Sequence, residues 1–253
     1  MPAPLLALPF GLAIGLSLGL VGGGGSILAV PVLVYVLGEG VREATTASLL
    51  IVGCTALAGA LDHARAGRVR LRTAVAFGSS GAFGSLAGTL LNRVASPRAI
   101  LFLFGLLLLA AAGAMLRRRE DLDQPHEEQV HAWRRVLPLG LLVGVLTGFF
   151  GVGGGFLIVP ALALVLGLPT SIAVGTSLLV IAIVCAVGFA AHLATGTIDW
   201  AVAGTFTAAG LVGAVIGSRL VERVRAIRLR QLFAAVTTAV ALALIAVNAN
   251  VLL

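Results

Sequence analysis

The chain has 253 residues, of which 59% are hydrophobic and 11% are charged, and its mean hydropathy is +1.11. Soluble domains average about 25% charged residues, so this composition excludes an ordinary soluble protein and predicts an integral membrane protein with several helices. The net charge of +7 comes from 17 arginines, with no lysine, against ten carboxylates. The arginines cluster between apolar segments, which favours a role in membrane topology over nucleic-acid binding.

Eight apolar segments follow one another along the chain and fall into two sets of four. Their approximate limits are residues 5–37, 43–62, 72–91, 97–116, 137–166, 172–191, 198–218 and 231–250. A charged stretch that contains Pro125 separates the two sets, as expected of a solvated linker. We therefore predict an all-α, polytopic helical bundle with a first transmembrane repeat (1–116), a charged cytoplasmic linker (117–136) and a second transmembrane repeat (137–253).

A run of glycines interrupts the first apolar segment of each set. Residues 19–26 are Gly-Leu-Val-Gly-Gly-Gly-Gly-Ser, and residues 148–155 are Gly-Phe-Phe-Gly-Val-Gly-Gly-Gly. Each Gly costs a helix about 0.8–1 kcal/mol relative to Ala, and unwound backbone inside a membrane is tolerated only where protein buries it or where it lines a cavity. We therefore predict that each repeat begins with a re-entrant helical hairpin broken at these glycines, as in the substrate sites of many transporters.

The unwound glycines suit an anion, because they leave backbone N–H groups free at the start of the next half-helix, where the helix dipole favours negative charge. The alternative is a tight turn or a close helix contact without a ligand. The predicted substrate-binding residues of these loops are Gly22, Gly23, Gly24, Gly25 and Ser26 in the first repeat, with Gly151, Gly153, Gly154 and Gly155 in the second.

A constant offset relates the two sets. Pro31 corresponds to Pro160, a difference of 129 residues, and the same difference relates His63 to His192. Ser-Leu-Leu at residues 48–50 recurs with this offset at residues 177–179. Shared apolar composition does not explain one register for Pro, Ser and His together, so the sequence predicts an internal duplication.

The arginines indicate how the two repeats are oriented. If each broken segment enters and leaves on one side, each half crosses three times and the second half is inverted. Loops 62–72, 117–135 and 219–230 would then be cytoplasmic and carry 14 arginines, against three outside, and both termini would lie outside. If every segment crosses, the count is 9 against 8. We therefore predict inverted repeats whose hairpin tips meet near the middle of the membrane.

Hydroxyl and imidazole side chains occur in the helices that follow the hairpins. The hydroxyls would donate to an oxyanion or bond back to their own helix, and they belong to Thr45, Thr46, Ser48, Thr176 and Ser177. His63 and His192 lie at helix ends, where they would bind the anion, carry a proton or cap the helix. No carboxylate lies deep in an apolar segment, which argues against a carboxylate proton relay.

Glycines also recur four residues apart in the third helix of each repeat, at Gly84 and Gly88 and at Gly213 and Gly217. This spacing predicts close helix packing rather than ligand chemistry. The sequence leaves open whether the packing joins the two halves or forms a dimer seam.

These features together resemble the sulfite exporter TauE/SafE family of membrane proteins, over nearly the whole chain. The resemblance rests on the duplicated glycine loop followed by a proline, the Ser-Leu-Leu segment, the helix-end histidine and the glycine-spaced third helix. It implies transport of small sulfur-containing anions such as sulfite, sulfoacetate and other organosulfonates, largely as export. The first loop lacks the bulky residue that Val152 supplies in the second, so the two loops need not contribute equally to the site.

We therefore predict a secondary transporter or permease of the cell membrane that exports a small sulfur-containing anion by alternating access, without catalytic residues, metal or cofactor. The alternatives are an uptake permease or channel for another small anion. An intramembrane enzyme is disfavoured, because the only near match to a nucleophile motif, Gly25-Ser26, has Gly155 at the equivalent of the serine. The predicted partners are the anion and the lipid bilayer, not nucleic acid. The oligomeric state stays open, although a homodimer is common among such transporters.

Overall fold

The computed structural model describes residues 3–21, 23–117, 132–152, 154–194, 197–220 and 226–248. The regular structure in these ranges is helical, with no β-strand, which confirms the predicted all-α class. The helices are α1 Ala3–Val21, α2 Ala29–Pro31, α3 Val41–Arg65, α4 Leu71–Val94, α5 Pro97–Arg117, α6 Ala132–Phe150, α7 Gly155–Val165, α8 Thr170–Leu193, α9 Trp200–Leu220 and α10 Ala226–Asn248. Most of the predicted linker, residues 118–131, lies outside the described ranges.

Four of the described helices are long and apolar enough to cross a membrane. They are α3, α4, α9 and most of α8, from Ser171 to Leu193. Shorter apolar helical stretches occur in α1, α5, α6 and α10 and in the segment from Gly25 to Val36. The protein is therefore a multi-pass membrane protein.

The helix is interrupted at both glycine runs, in two different ways. After α1 the chain forms a 3₁₀ helix, Gly23–Leu28, then the short α2 and a π-helical turn, Val32–Val36. After α6 it turns through Gly151 and Gly154, whose φ angles are +69° and +61°, before α7 begins. Side chains rarely tolerate such φ values, which explains the need for glycine there. Gly22 and Gly153 lie outside the described residues.

Helix α1 packs along α9, so the first helix of one half lies against the third long helix of the other. A Cβ atom on Gly11 would lie 2.6 Å from the Phe206 carbonyl oxygen, and one on Gly19 would overlap the carbonyl of Ala214. The contacts advance together along both helices, so α1 and α9 run parallel. The two backbones approach this closely only because the contact positions carry glycine.

Helix α6 packs along α4 in the equivalent way. A Cβ on Gly144 would overlap the Gly81 carbonyl, and one on Gly148 would overlap that of Ser85, so these helices are also parallel. The glycines predicted from their spacing face these partners: Gly84 and Gly88 face α6, and Gly213 and Gly217 face α1. The predicted close packing is therefore confirmed, and it joins the two halves of one chain.

Helices α3 and α8, which correspond to each other in the duplication, pack in the opposite sense. A Cβ on Gly59 would lie 3.1 Å from Leu178, near the start of α8, whereas one on Gly188, near its end, would lie 3.5 Å from Leu49. These helices are therefore antiparallel. Helices α5 and α10 also pack together, so exchanging the two halves leaves the pattern of helix contacts unchanged.

The two interrupted segments lie against each other in the core. The 3₁₀ helix of the first half contacts α7 of the second. Ile27 and Val30 share a buried apolar cluster with Phe150 and Val152, and the Phe150 ring lies 5.4 Å from that of Phe104 on α5. The two broken segments therefore contact each other inside the protein.

Candidate functional site

The first glycine loop turns the chain back along α1. A Cβ on Gly25 would lie 2.6 Å from the Ile14 carbonyl oxygen and 2.8 Å from the Leu18 nitrogen, so the 3₁₀ helix packs on the helix that precedes it. Gly23, Gly24, Gly25 and Ser26 all lie within this 3₁₀ helix, and Ser26 is fully buried.

His63, in the last turn of α3, lies beside the end of α1. Its side chain is 2% exposed, the Gly19 backbone lies beside it, and neither ring nitrogen has a hydrogen-bond partner among the described residues. A Cβ on Gly175, near the start of α8, would lie 3.0 Å from the His63 Cβ. The imidazole therefore lies between the first hairpin and the second half of the chain.

The predicted hydroxyls of α8 lie near this end of α3 and already have partners. Thr176 Oγ1 accepts a hydrogen bond from the Arg70 amide at 3.0 Å, and Ser177 Oγ donates to the Val174 carbonyl at 2.7 Å. Asp62 accepts a bond of 2.6 Å from Ser218 Oγ of α9. We call His63, Thr176 and Asp62, together with the first loop, the first cluster.

The second glycine loop packs against the start of α3. A Cβ on Gly151 would overlap the Thr45 side chain, and one on Gly154 would overlap Thr147 Oγ1. The His192 Nε2 atom lies 2.9 Å from the Gly148 carbonyl oxygen and forms a hydrogen bond with it. We call these residues, with Ser85 of α4, the second cluster.

Most predicted hydroxyls of α3 use their protons within the helix. Thr45 Oγ1 donates to the Val41 carbonyl at 2.7 Å, and Thr46 Oγ1 donates to the Arg42 carbonyl at 3.0 Å. Ser48 is the exception, because its buried Oγ has no partner in the described part of the chain. It lies three residues after Thr45 and therefore on the same face of α3.

The two clusters do not coincide. Thr45 and His63 belong to one helix and are 18 residues apart, which corresponds to about 27 Å at 1.5 Å per residue. The expectation that both loops meet at one point near the middle therefore does not match these contacts. Each loop instead lies near one end of the α3–α8 pair, and each cluster combines residues from both halves.

Sequence reasoning missed two residues of the second cluster, Ser85 and Thr147. Both side chains are fully buried, and neither Ser85 Oγ nor Thr147 Oγ1 has a hydrogen-bond partner among the residues described. A signal was present in the sequence, because the positions 129 residues away carry Ala214 and Leu18. A buried hydroxyl in one copy and an apolar side chain in the other mark a difference between otherwise matched repeats.

Neither cluster has the ligands of a metal site. The described residues contain no group of three or more His, Cys, Asp or Glu side chains that would hold an ion. Hydroxyls, imidazoles and backbone amides are the available donors, and these suit the oxygens of an anion.

Comparison with known proteins identifies the family. Residues 7–244 match the family described as "Sulfite exporter TauE/SafE". A "Probable membrane transporter protein" of Xylella fastidiosa (strain 9a5c) is 37% identical over 239 residues, which cover 90% of each chain. The "Probable membrane transporter protein YdhB" of Bacillus subtilis (strain 168) is 27% identical over 209 residues, covering 81% of this chain and 85% of the relative. No solved structure matches.

Helices α1 and α9, and likewise α4 and α6, pack in parallel through glycines, and we call these two contacts the glycine seams. Helices α3 and α8 pack antiparallel. This helical arrangement is consistent with the family match over residues 7–244. The arrangement and the match together describe a helical, multi-pass membrane protein whose family consists of transporters and not of enzymes. The chain belongs to the sulfite exporter TauE/SafE family of membrane transporters.

Proposed function

We propose that the protein exports a small sulfur-containing anion, such as sulfite, sulfoacetate or another organosulfonate, across the cytoplasmic membrane by alternating access. The observation that carries the proposal is the second glycine loop, where α7 begins beside the buried Thr147 hydroxyl, which has no partner among the described residues. A helix start attracts negative charge, and buried hydroxyls without partners are costly unless a ligand or water satisfies them. The substrate class comes from the family to which the chain belongs.

Inverted repeats are part of this proposal, and the antiparallel packing of α3 on α8 supports them. If every apolar segment crossed the membrane, α3 would be the second and α8 the sixth crossing, and both would run in the same direction. With two re-entrant hairpins they run in opposite directions, as their contacts require. The 14 arginines in loops 62–72, 117–135 and 219–230 support a cytoplasmic location for these loops and an outside location for both termini.

Re-entry of the second hairpin is supported by helix length. The 11 residues of α7 span about 17 Å, at 1.5 Å per residue. The hydrocarbon core of a bilayer is about 30 Å thick. This helix alone is therefore too short for a separate crossing, and α7 together with residues 166–169 provides the return from the second loop to the start of α8.

The charge of the substrate supports export. A membrane potential of 100 mV, negative inside, favours the exit of one negative charge by about 2.3 kcal/mol. Export therefore needs no coupled ion, which suits a chain without carboxylates deep in its apolar segments.

Flux of sulfite and sulfoacetate in proteoliposomes, at clamped potentials of both signs, tests the proposal. We expect a saturable flux that is faster when the compartment holding the anion is negative. A saturable inward flux that persists against the potential would show uptake instead. If no sulfur anion moves at either potential, the substrate assignment is wrong.

A further inference from the structure

We infer that the second glycine loop alone carries a hydroxyl-lined site for a singly charged tetrahedral oxyanion, with Thr147 and Ser85 as the side-chain donors. The inference rests on the proposed function for the choice of anion. It goes further by assigning the site to one of two equivalent loops and by naming donors outside the predicted set.

The first proposed donor is the hydroxyl of Thr147. It is fully buried in α6, and its Oγ1 lies against Gly154, directly before α7. It forms no hydrogen bond with any described residue, although threonines in helices commonly bond back to a carbonyl of the preceding turn. The hydroxyl therefore has a proton to donate at the start of α7.

The start of α7 supplies backbone N–H donors. The first amide that donates within this helix is that of Leu157, which reaches the Gly154 carbonyl at 3.0 Å. The amides before it have no acceptor inside α7, because a helix cannot satisfy its own first N–H groups. They form a neutral donor set beside the Thr147 hydroxyl.

Ser85 supplies a second hydroxyl in the same cluster. Its backbone contacts Gly148, the residue after Thr147, and its Oγ would lie 2.6 Å from a Cβ on Gly188 of α8. The side chain is fully buried and lacks a partner within the described ranges. Thr89, one turn later, instead donates to the Ser85 carbonyl at 2.9 Å.

The first loop has no such donors at the equivalent positions. Leu18 replaces Thr147 and Ala214 replaces Ser85, and both are fully buried. A methyl or isobutyl group cannot donate a hydrogen bond, so at these two positions only the second loop has hydroxyl donors.

The donors also limit the charge of the ligand. Hydroxyls and amides are neutral, and a helix start contributes about half a positive charge. The described guanidinium groups of Arg42 and Arg93 donate to the carbonyls of Arg93, at 2.9 Å, and Ala191, at 3.3 Å, so they add positive potential but no direct donor to the ligand. This set matches the single charge of one sulfonate group better than an oxyanion that carries two charges on one centre, such as sulfate.

Binding to the purified full-length protein in detergent tests the inference, with methanesulfonate as the singly charged probe and sulfate as the doubly charged one. We expect Thr147→Val and Ser85→Ala each to raise the Kd for methanesulfonate at least tenfold, and wild-type protein to bind sulfate at least tenfold more weakly. Thr55→Val is the matched control, because Thr55 is equally buried but donates to the Ile51 carbonyl at 2.7 Å. Its Kd should stay within twofold of wild type.

A structural role for Thr147 would give a different result. We expect Thr147→Val to keep or raise the Tm of the ligand-free protein, because valine has the same shape and removes a buried hydroxyl without a described partner. A lower Tm with an unchanged Kd would overturn the inference.

Other outcomes separate this inference from the proposed function. Unchanged Kd values in both variants, or an equal loss in Thr55→Val, would overturn the site while sulfonate flux in wild-type vesicles upheld export. Equal binding of sulfate and methanesulfonate would overturn the charge assignment. Absence of both binding and flux in wild-type protein would overturn the site and the proposed function together.

Discussion

The two glycine loops occupy equivalent positions in the duplicated chain, but their surroundings differ. Around the first loop lie His63, whose ring lies near the Gly19 backbone, the hydroxyl of Thr176, which already has a partner, and the apolar Leu18 and Ala214. Around the second lie His192, bonded to the Gly148 carbonyl, and hydroxyls without described partners. The backbone scaffold has kept its symmetry while the side chains have diverged. The shared features belong to the architecture, and the differing ones are the basis on which we infer a ligand site at the second loop.

The largest expected effect concerns a feature that both halves share. Gly15→Ala and Gly144→Ala would each place a Cβ on the carbonyl of the facing glycine. We expect each to lower the free energy of unfolding by about 3 kcal/mol, or to prevent recovery of folded protein, because backbone cannot move aside as a side chain can. Thermal unfolding in detergent measures this.

Gly204→Ala is the control for the seams. It lies exposed on α9, and nothing lies within 4 Å of a Cβ placed there. We expect it to be neutral or to stabilise the helix by up to about 1 kcal/mol. If only one of the two seam substitutions lowered the free energy of unfolding strongly, the two helix contacts would not be energetically equivalent.

The histidines should show an intermediate effect and should separate the two clusters. We expect His192→Leu to cost about 1–3 kcal/mol, because it leaves the buried Gly148 carbonyl without its bond. His63→Leu should cost less in the ligand-free protein, because the His63 ring nitrogens lie near the Gly19 backbone but form no full hydrogen bond with a described residue. Chemical denaturation of both variants measures the difference, and equal losses would contradict the comparison.

The smallest effect is expected at Glu39, in the loop before α3. Partial burial, followed by the nearby carboxylates of Asp199 and Glu43, raises the pKa of Glu39. The folded protein therefore holds this proton more tightly than the unfolded chain does. The free energy of unfolding falls as the pH rises from the ordinary glutamate range through the folded pKa.

Glu39→Gln removes this penalty. We expect it to raise the Tm at neutral pH by about 1 °C and to leave it unchanged at pH values below the ordinary glutamate range. A pH series of Tm measurements checks this. An increase that persists in acid would indicate a cause other than the carboxylate.

Much of the scaffold was predictable from the sequence. The all-helical class, the helix breaks at the glycine runs and the close packing at Gly84, Gly88, Gly213 and Gly217 follow from residue types and spacing, and the structure contains them. The helix that packs against each set of glycines was not predictable, because small residues at a four-residue spacing fit any helix that also has small residues at this spacing. Only the structure shows that α1 packs on the second half and α6 on the first.

The candidate site was less predictable. Thr45, Thr46 and Ser177 were predicted from their place in the helices that follow the glycine loops, but their protons are donated to their own helices. Ser85 and Thr147 lie in α4 and α6, outside the two helices in which the hydroxyls were predicted, and neither position is matched in the other half. The separation of Thr45 from His63 along one helix was visible in the sequence, yet the hairpin contacts were needed to show which loop lies near which end.

The seam between α1 and α9 also has a consequence for biosynthesis. The glycine stripe of α1 leaves the ribosome about 200 residues before the end of its partner. At about 5–20 residues per second, α1 waits roughly 10–40 s before that partner is complete. During this time the stripe faces lipid or another helix, so final assembly is a late event that requires the whole chain. Neither half, made alone, has the surface that its first helix needs.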